Sequence, residues 1–365
     1  MAAASPTFEP VPFARLPGWE RDDHLAAFSA LVAGGAAVNA HSATPEPLAS
    51  VYRAAEGERP LITSRQSARA FFEARFTPMR VIHDGPRGLL TGYYEPILDG
   101  ALSPDRSFSV PLYRRPVDLL NVVSESDRGA KSAEGLTHVR RLPDGRTVPF
   151  ATREQIEKGA LSGLGLEFVY LSDPVEAFML HVQGSGAIRL PDGSLMRVTY
   201  DGKNGHPYTS VGRVMIDQGL FAADDLTLQV MTDWLRSNPK RARTLLWHNK
   251  SFIFFRPLEG DAPVGVLGSP LAPGRSLAVD TAFHALGTPI YVTSPAMTHV
   301  KPDGFHRLMI AHDVGSAIKG PERGDVFFGT GPEALGLAGI TKHAGSFFVL
   351  APRPVPQVPQ SGAQQ

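Results

Sequence analysis

Three aspartates and a lysine have the spacing of a chemical site. Asp280 follows the apolar run Ser276-Leu277-Ala278-Val279, Asp313 ends the run Leu308 to His312, and Asp325 precedes Val326-Phe327-Phe328, with Lys319 between the last two. Burying an unpaired charge is costly, so ionisable groups at the ends of buried strands need a partner or a job. The apolar residues after Asp325 predict a partly desolvated carboxyl. Desolvation raises a carboxyl pKa and makes a usable general acid. The alternative for Asp325 is a turn residue capping loop N–H groups. Gly315, Ser316 and Ala317 beyond Asp313 leave room for close approach of a ligand or another backbone. Asp313 and Asp280 read equally as structural aspartates. Lys319 could neutralise either carboxylate, hold a sugar hydroxyl, or stay solvated.

Two further clusters suit a carbohydrate. His181-Val182-Gln183-Gly184-Ser185-Gly186 lacks the Lys-Ser/Thr ending of a phosphate loop, and the Ala187 to Leu190 segment after it reads as a strand. The Gln183 amide suits sugar hydroxyls or N-acetyl groups, or a side-chain bond within a hairpin. Tyr93 and Tyr94 would point to opposite faces of a strand, so one can pack in the core and one can line a groove. The twelve histidines show no His-Glu-x-x-His pattern, which argues against a catalytic metal. Ser185 is not in a Gly-x-Ser-x-Gly elbow, so a serine hydrolase has little support.

These residues need elements to hold them. The first hundred residues read as helical, with Thr63 and Gln66 as a capping box before Ala68, Phe71, Phe72 and Phe76. Leu89 to Tyr94 reads as a strand. Asp144-Gly145 and Asp192-Gly193 are hairpin signals. A short helix is expected from Thr152, and another with Leu226, Val230, Trp234 and Leu235, ending at Asn238-Pro239. Strands are expected at Glu167–Leu171, Ala177–Gln183 and Ala187–Leu190. From Trp247 onward six short strands, separated by proline and glycine, suggest a barrel rather than a parallel sheet.

The totals bound the rest. A chain of 365 residues usually folds as two domains. Equal numbers of acidic and basic residues, 36 each, argue against a large nucleic-acid footprint but not against a neutral polymer. With no cysteine there is no disulfide, thiol nucleophile or Cys-ligated metal. Residues Met1 to Trp19 do not read as a signal peptide, and no apolar window is long enough for a transmembrane helix. The tail from Pro352 to Gln365, rich in Pro, Gln and Ser, reads as disordered.

Taken together, the segments resemble the membrane-bound lytic murein transglycosylase A family. The matching pieces are Thr91-Gly92-Tyr93-Tyr94-Glu95-Pro96, Phe178 to Gly186 with Pro191-Asp192-Gly193, Asp201 to Gly205, Ser251 to Arg256, Pro273 to Asp280, and Asp313 to Gly331. The resemblance covers about Leu90 to Leu350. It implies a mainly β protein with N-terminal helices. A double-psi β-barrel-like domain would comprise residues 1–102 plus 248–351, with a smaller β domain inserted at 103–247 and a groove between them. It also implies a lyase that cleaves peptidoglycan glycan strands between N-acetylmuramic acid and N-acetylglucosamine, releasing 1,6-anhydromuramoyl products without a cofactor. By motif match the catalytic residue is Asp325, supported by Asp313, and the substrate-binding residues are Thr91, Tyr93, Tyr94, Gln183, Gly184, Asp280 and Lys319. A periplasmic or outer-membrane-associated monomer is expected. Three departures stand out. The family's lipid-anchor cysteine is missing, Ser316 replaces a frequent glycine, and Asp325 lies one loop residue further from Asp313 than in some relatives.

Two rivals make different demands. A cellulase-like hydrolase needs a second carboxyl as base, from Asp313 or Asp280. A non-catalytic wall-binding module would bind unchanged after Asp325→Asn.

Overall fold

The computed structural model describes residues 5–85, 87–123, 135–260 and 262–354. In chain order, strand β1 (Thr7–Pro10) leads into helices α1 (His24–Ala40), α2 (Glu46–Glu58) and α3 (Arg65–Arg75), then β2 (Phe76–Ile82) and β3 (Leu89–Glu95). A middle region holds β4 (Ile97–Ala101), β5 (Val110–Tyr113), β6 (Leu119–Asn121), β7 (His138–Arg141), β8 (Thr147–Val148), α4 (Arg153–Gln155), β9 (Glu167–Leu171), α5 (Pro174–Gln183), β10 (Ser185–Arg189), β11 (Leu195–Lys203), α6 (Val211–Asp217), α7 (Leu228–Ser237), α8 (Pro239–Trp247) and β12 (Ile253–Leu258). The C-terminal part holds β13 (Ser276–Val279), β14 (Pro289–Ser294), β15 (Phe305–Val314), β16 (Arg323–Thr330), α9 (Pro332–Ala338), β17 (Lys342–Ala344) and β18 (Ser346–Pro352).

The fold is mainly β, as expected. A nine-stranded mixed sheet runs β1-β2-β18-β14-β15-β13-β16-β3-β17, and a six-stranded sheet runs β12-β11-β10-β4-β9-β5. The second sheet reaches beyond residues 103–247, because β4 before that span and β12 after it are both hydrogen-bonded members. Helices α1–α3 pack through Phe28, Leu31, Tyr52, Phe71 and Phe72 against Tyr291, Leu308 and Ile310 of the first sheet. Each such buried side chain contributes about 1.5–3 kcal/mol of transfer free energy. Helix α5 covers the second sheet, with Ala177 and Leu180 against Ile188, Val198 and Phe255.

Most local signals hold. Thr152 caps α4 with Gln155 completing a capping box, and α7 gives way to α8 at Asn238-Pro239. Gly145 and Gly193, both at φ +84°, turn the β7–β8 and β10–β11 hairpins. Two details differ. The cap of α3 is Ser64 paired with Ser67, one residue after Thr63. Ala177–Gln183 is helix rather than strand. Asp173 Oδ1 accepts from Val175 N at 2.8 Å, Pro174 presets the first turn, and Gly184 closes the end at φ +84°. Val175 and the unbroken run Ala177, Phe178, Met179, Leu180 and His181 are all buried, so the apolar stretch masks the helical period. Of the tail, Pro352 ends β18 paired with Phe76, while residues 355–365 lie outside the described residues.

Candidate active site

The site is built by register. Ala278 on β13 pairs with Asp313 on one side and Asp325 on the other, and Asp325 in turn pairs with Thr91 of β3. Directly paired residues share a face of a sheet, so Asp313, Ala278, Asp325 and Thr91 form one cross-strand row. At about 4.8 Å per strand the two aspartate backbones stand about 10 Å apart. Only the Ala278 methyl lies between them.

The row is wired by side chains. Thr91 Oγ1 donates to Asp325 Oδ1 at 2.5 Å and itself accepts from Arg323 Nη2 at 2.9 Å. Tyr93, two residues along the same face from Thr91, donates its hydroxyl to Asp313 Oδ2 at 3.2 Å, while Asp313 Oδ1 accepts from Val314 N at 2.9 Å. Burial and the two nearby carboxylates push the Tyr93 phenol well above its usual range, so it remains a donor. Burial also raises the Asp325 pKa. The Thr91 hydrogen bond and the Arg323 charge oppose that shift without cancelling it. Asp325 thus holds its proton more tightly than an ordinary aspartate and can donate it.

Asp325 and Asp313 open onto a groove of about 290 Å³ between the two sheets. Gln183 and Gly184 line the facing wall. Gln183 Oε1 accepts from Tyr94 N at 3.2 Å, which leaves the amide N–H groups free to face the groove. Gly184 must adopt a left-handed conformation to end α5, and its carbonyl receives Tyr200 N at 2.8 Å.

The remaining expected residues sit elsewhere. Tyr93 and Tyr94 do point to opposite faces, but both are buried and neither ring lines the groove. Tyr93 packs on Phe327 at 5.2 Å, and Tyr94 lines a separate crevice with Glu176 and Arg236. Asp280 is buried behind the loop after β15. Its Oδ2 accepts from Gly320 N at 2.9 Å and its Oδ1 lies 3.5 Å from Lys319 Nζ. This pair braces the loop from outside the groove lining.

Several groove residues were not singled out by chemistry. Lys203 reaches across to Ser316 Oγ at 3.3 Å, and Arg256 and Tyr200 line the same wall. Arg153 is buried behind them, donating to the carbonyls of Asn249 (3.2 Å) and Ser251 (2.8 Å) and meeting His181 Nδ1 at 3.1 Å. Burial and that guanidinium drive the His181 pKa well down, keeping the imidazole neutral. Lys203 and Arg256 are the cations of the Asp201–Gly205 and Ser251–Arg256 motifs, the available clue. Among the described residues no group of three or more His, Cys, Asp or Glu could hold a metal ion.

Residues 89–256 match the MltA specific insert domain and residues 275–351 match the 3D domain. The fold is similar to a crystal structure of membrane-bound lytic murein transglycosylase from Agrobacterium tumefaciens, at TM-score 0.84 and 34% identity over 95% of this chain and 98% of that one. The chain belongs to the membrane-bound lytic murein transglycosylase A family. Within that family it is 33% identical to the Vibrio cholerae transglycosylase A over 72% of its own length, spanning 65% of that relative. It is also similar to Escherichia coli MltA with bound chitohexaose, at TM-score 0.69 and 27% identity over 95% of each chain. All three aspartates fall in the 3D-domain match, and Thr91, Gln183 and Gly184 fall in the insert-domain match.

Proposed function

We propose that this protein is a peptidoglycan lytic transglycosylase using Asp325 as both acid and base. The observation that carries this reading is a carboxyl with raised pKa, fixed by Thr91 and Arg323, at the wall of a groove between two sheets. The Asp325 proton passes to the glycosidic oxygen as the C1–O bond breaks and oxocarbenium character develops. The muramoyl C6 hydroxyl then attacks C1, and its proton returns to Asp325. The new C6–O–C1 bridge replaces the bond lost, so no water is consumed.

Asp313 supports this chemistry as a fixed negative charge near the cation-like centre, held by Tyr93. Gln183 orients the sugar through its amide, and Thr91 sets the Asp325 carboxyl. Glycan strands lie along the groove, a reading supported by the chitohexaose bound to the Escherichia coli relative. The nine-stranded sheet serves as the barrel-like catalytic unit and the six-stranded sheet as the inserted unit. The protein works as a monomer at the periplasmic face of the outer membrane, in line with relatives named as membrane-bound. No helix among the described residues is long and apolar enough to cross a membrane.

The test is digestion of purified peptidoglycan read by mass spectrometry, with Asp325→Asn alongside. Products one water lighter than hydrolytic muropeptides, absent with the variant, are expected. Full-mass reducing-end products would replace this reading with a hydrolase.

A further inference from the structure

The motif Pro273-Gly274-Arg275 is not absorbed by the groove. Its Pro273 and Arg275 line a second cavity of about 380 Å³, with Arg21, Arg65, Arg275, Lys301 and Arg307 as the cations and Asp22, Asp23 and Asp303 as the carboxylates. The cavity lies at the start of β15, six residues before Asp313, so it is about 20 Å along the strand from the groove.

The carboxylates are already committed. Asp22 takes both Arg275 nitrogens (2.9 and 2.8 Å) and Leu308 N (2.7 Å), Asp303 meets Arg21 at 3.3 Å and, more loosely, Lys301 at 4.0 Å, and Asp23 meets Arg65 at 3.5 Å. Arg307 is left over. Among the described residues no carboxylate lies within ion-pair distance of it, and it rests on the Phe305 ring at 5.1 Å. The fold makes space for this guanidinium, because a Cβ on Gly274 would sit 2.1 Å from Arg307 Nη1. Beside it, His306 Nε2 donates to the Asp303 carbonyl at 3.2 Å. The lining holds five cations against three carboxylates, an excess of two positive charges.

We propose that this cavity binds a phosphate group, with Arg307 as the anchoring fork and Lys301 as a further donor. A dianionic phosphate matches the charge excess, and a guanidinium fork suits its oxygens. Burial and the adjacent Arg275 lower the Arg307 pKa, consistent with a cation lacking its counter-charge.

The test is calorimetric titration of inorganic phosphate into the intact protein in chloride buffer, with Arg307→Gln, Lys301→Gln and Asp325→Asn. Saturable one-site binding is expected. It should weaken about tenfold or more in Arg307→Gln, weaken less in Lys301→Gln, and be unchanged in Asp325→Asn. Should Arg307→Gln fail to fold, weakened binding by the exposed Lys301→Gln carries the test. Absence of saturable binding, undiminished binding in the cavity variants, or binding lost only with Asp325→Asn would overturn the proposal. Co-sedimentation with phosphatidylcholine vesicles, with and without phosphatidic acid, separates the sources. Arg307-dependent capture by phosphatidic acid identifies a lipid headgroup, and phosphate binding without capture identifies a free ion.

Discussion

Thr91→Val tests the wiring of the acid most directly. Valine keeps the shape and volume near Asp325 but removes the hydroxyl that donates to Asp325 Oδ1 at 2.5 Å and receives Arg323 Nη2 at 2.9 Å. A hydrogen bond to a charged group is worth about 1.5–3 kcal/mol, so its loss disfavours the Asp325 carboxylate by about tenfold or more. The sign follows from the opposing causes. Burial raises the Asp325 pKa and the Thr91 bond lowers it, so removing the bond lets it climb further. In the proposed reaction the first step needs the protonated form, so its rate falls as pH rises through that pKa. The alkaline limb of the pH–rate profile for muropeptide release should therefore move to higher pH in Thr91→Val. Thr91→Ser, which keeps the hydroxyl, should stay near the parent. An unmoved limb, or one displaced to lower pH, would refute the assignment of Thr91 as the donor that sets Asp325.

Other perturbations give distinct readouts. Asp22→Asn leaves Arg275 buried without its partner and should destabilise the fold by about 3–5 kcal/mol in chemical denaturation. Arg275 and the Leu308 N–H hold the Asp22 pKa below its usual value despite burial, so this contribution exists above the unfolded pKa and disappears as pH falls through the folded one. Denaturation curves of the parent at descending pH should show the loss, and Asp22→Asn should lack that component. Gly184→Ala meets no atom within 4 Å yet needs φ +84°, so it should cost about 1 kcal/mol of stability through backbone strain alone. Arg153→Met retains contact with the Phe178 and Phe252 rings but strands the Asn249 and Ser251 carbonyls, and should cost about 2 kcal/mol or more in the same assay.

The C-terminal strands could be read because proline and glycine bound short apolar runs, as Gly287 and Pro295 do for Pro289–Ser294. Helix α5 could not, since five consecutive buried residues, Ala177 to His181, mask the helical period. The candidate site was legible as residue types but not as a row. Thr91 and Asp325 are 234 positions apart, and nothing local to either records which strand will pair with it. The same limit hid the work of Asp280. It looked equivalent to Asp313, but its partners, Gly320 and Lys319, depend on how the loop folds back. Arg153 was missed because a buried guanidinium has no sequence signal apart from its surroundings.

The passage from β3 to β4 takes one residue, Pro96, so a continuous stretch of chain leaves the first sheet and enters the second almost without a linker. Glu95, fully buried, is tied to both sides at once, accepting from Thr330 Oγ1 at 2.7 Å and pairing with Arg197 at 3.3 Å. The Pro96 carbonyl is in turn held by Ala187 N at 2.8 Å. Proline fixes one backbone torsion there and the buried carboxylate pins the other atoms, which is the construction of a weld rather than a hinge. The jaws of the groove are therefore joined stiffly at this end. At the mouth Lys203 reaches Ser316 Oγ at 3.3 Å, and beside the joint Tyr94 N donates to Gln183 Oε1 at 3.2 Å, so this chain resembles a fixed-gauge slot more than a clamp.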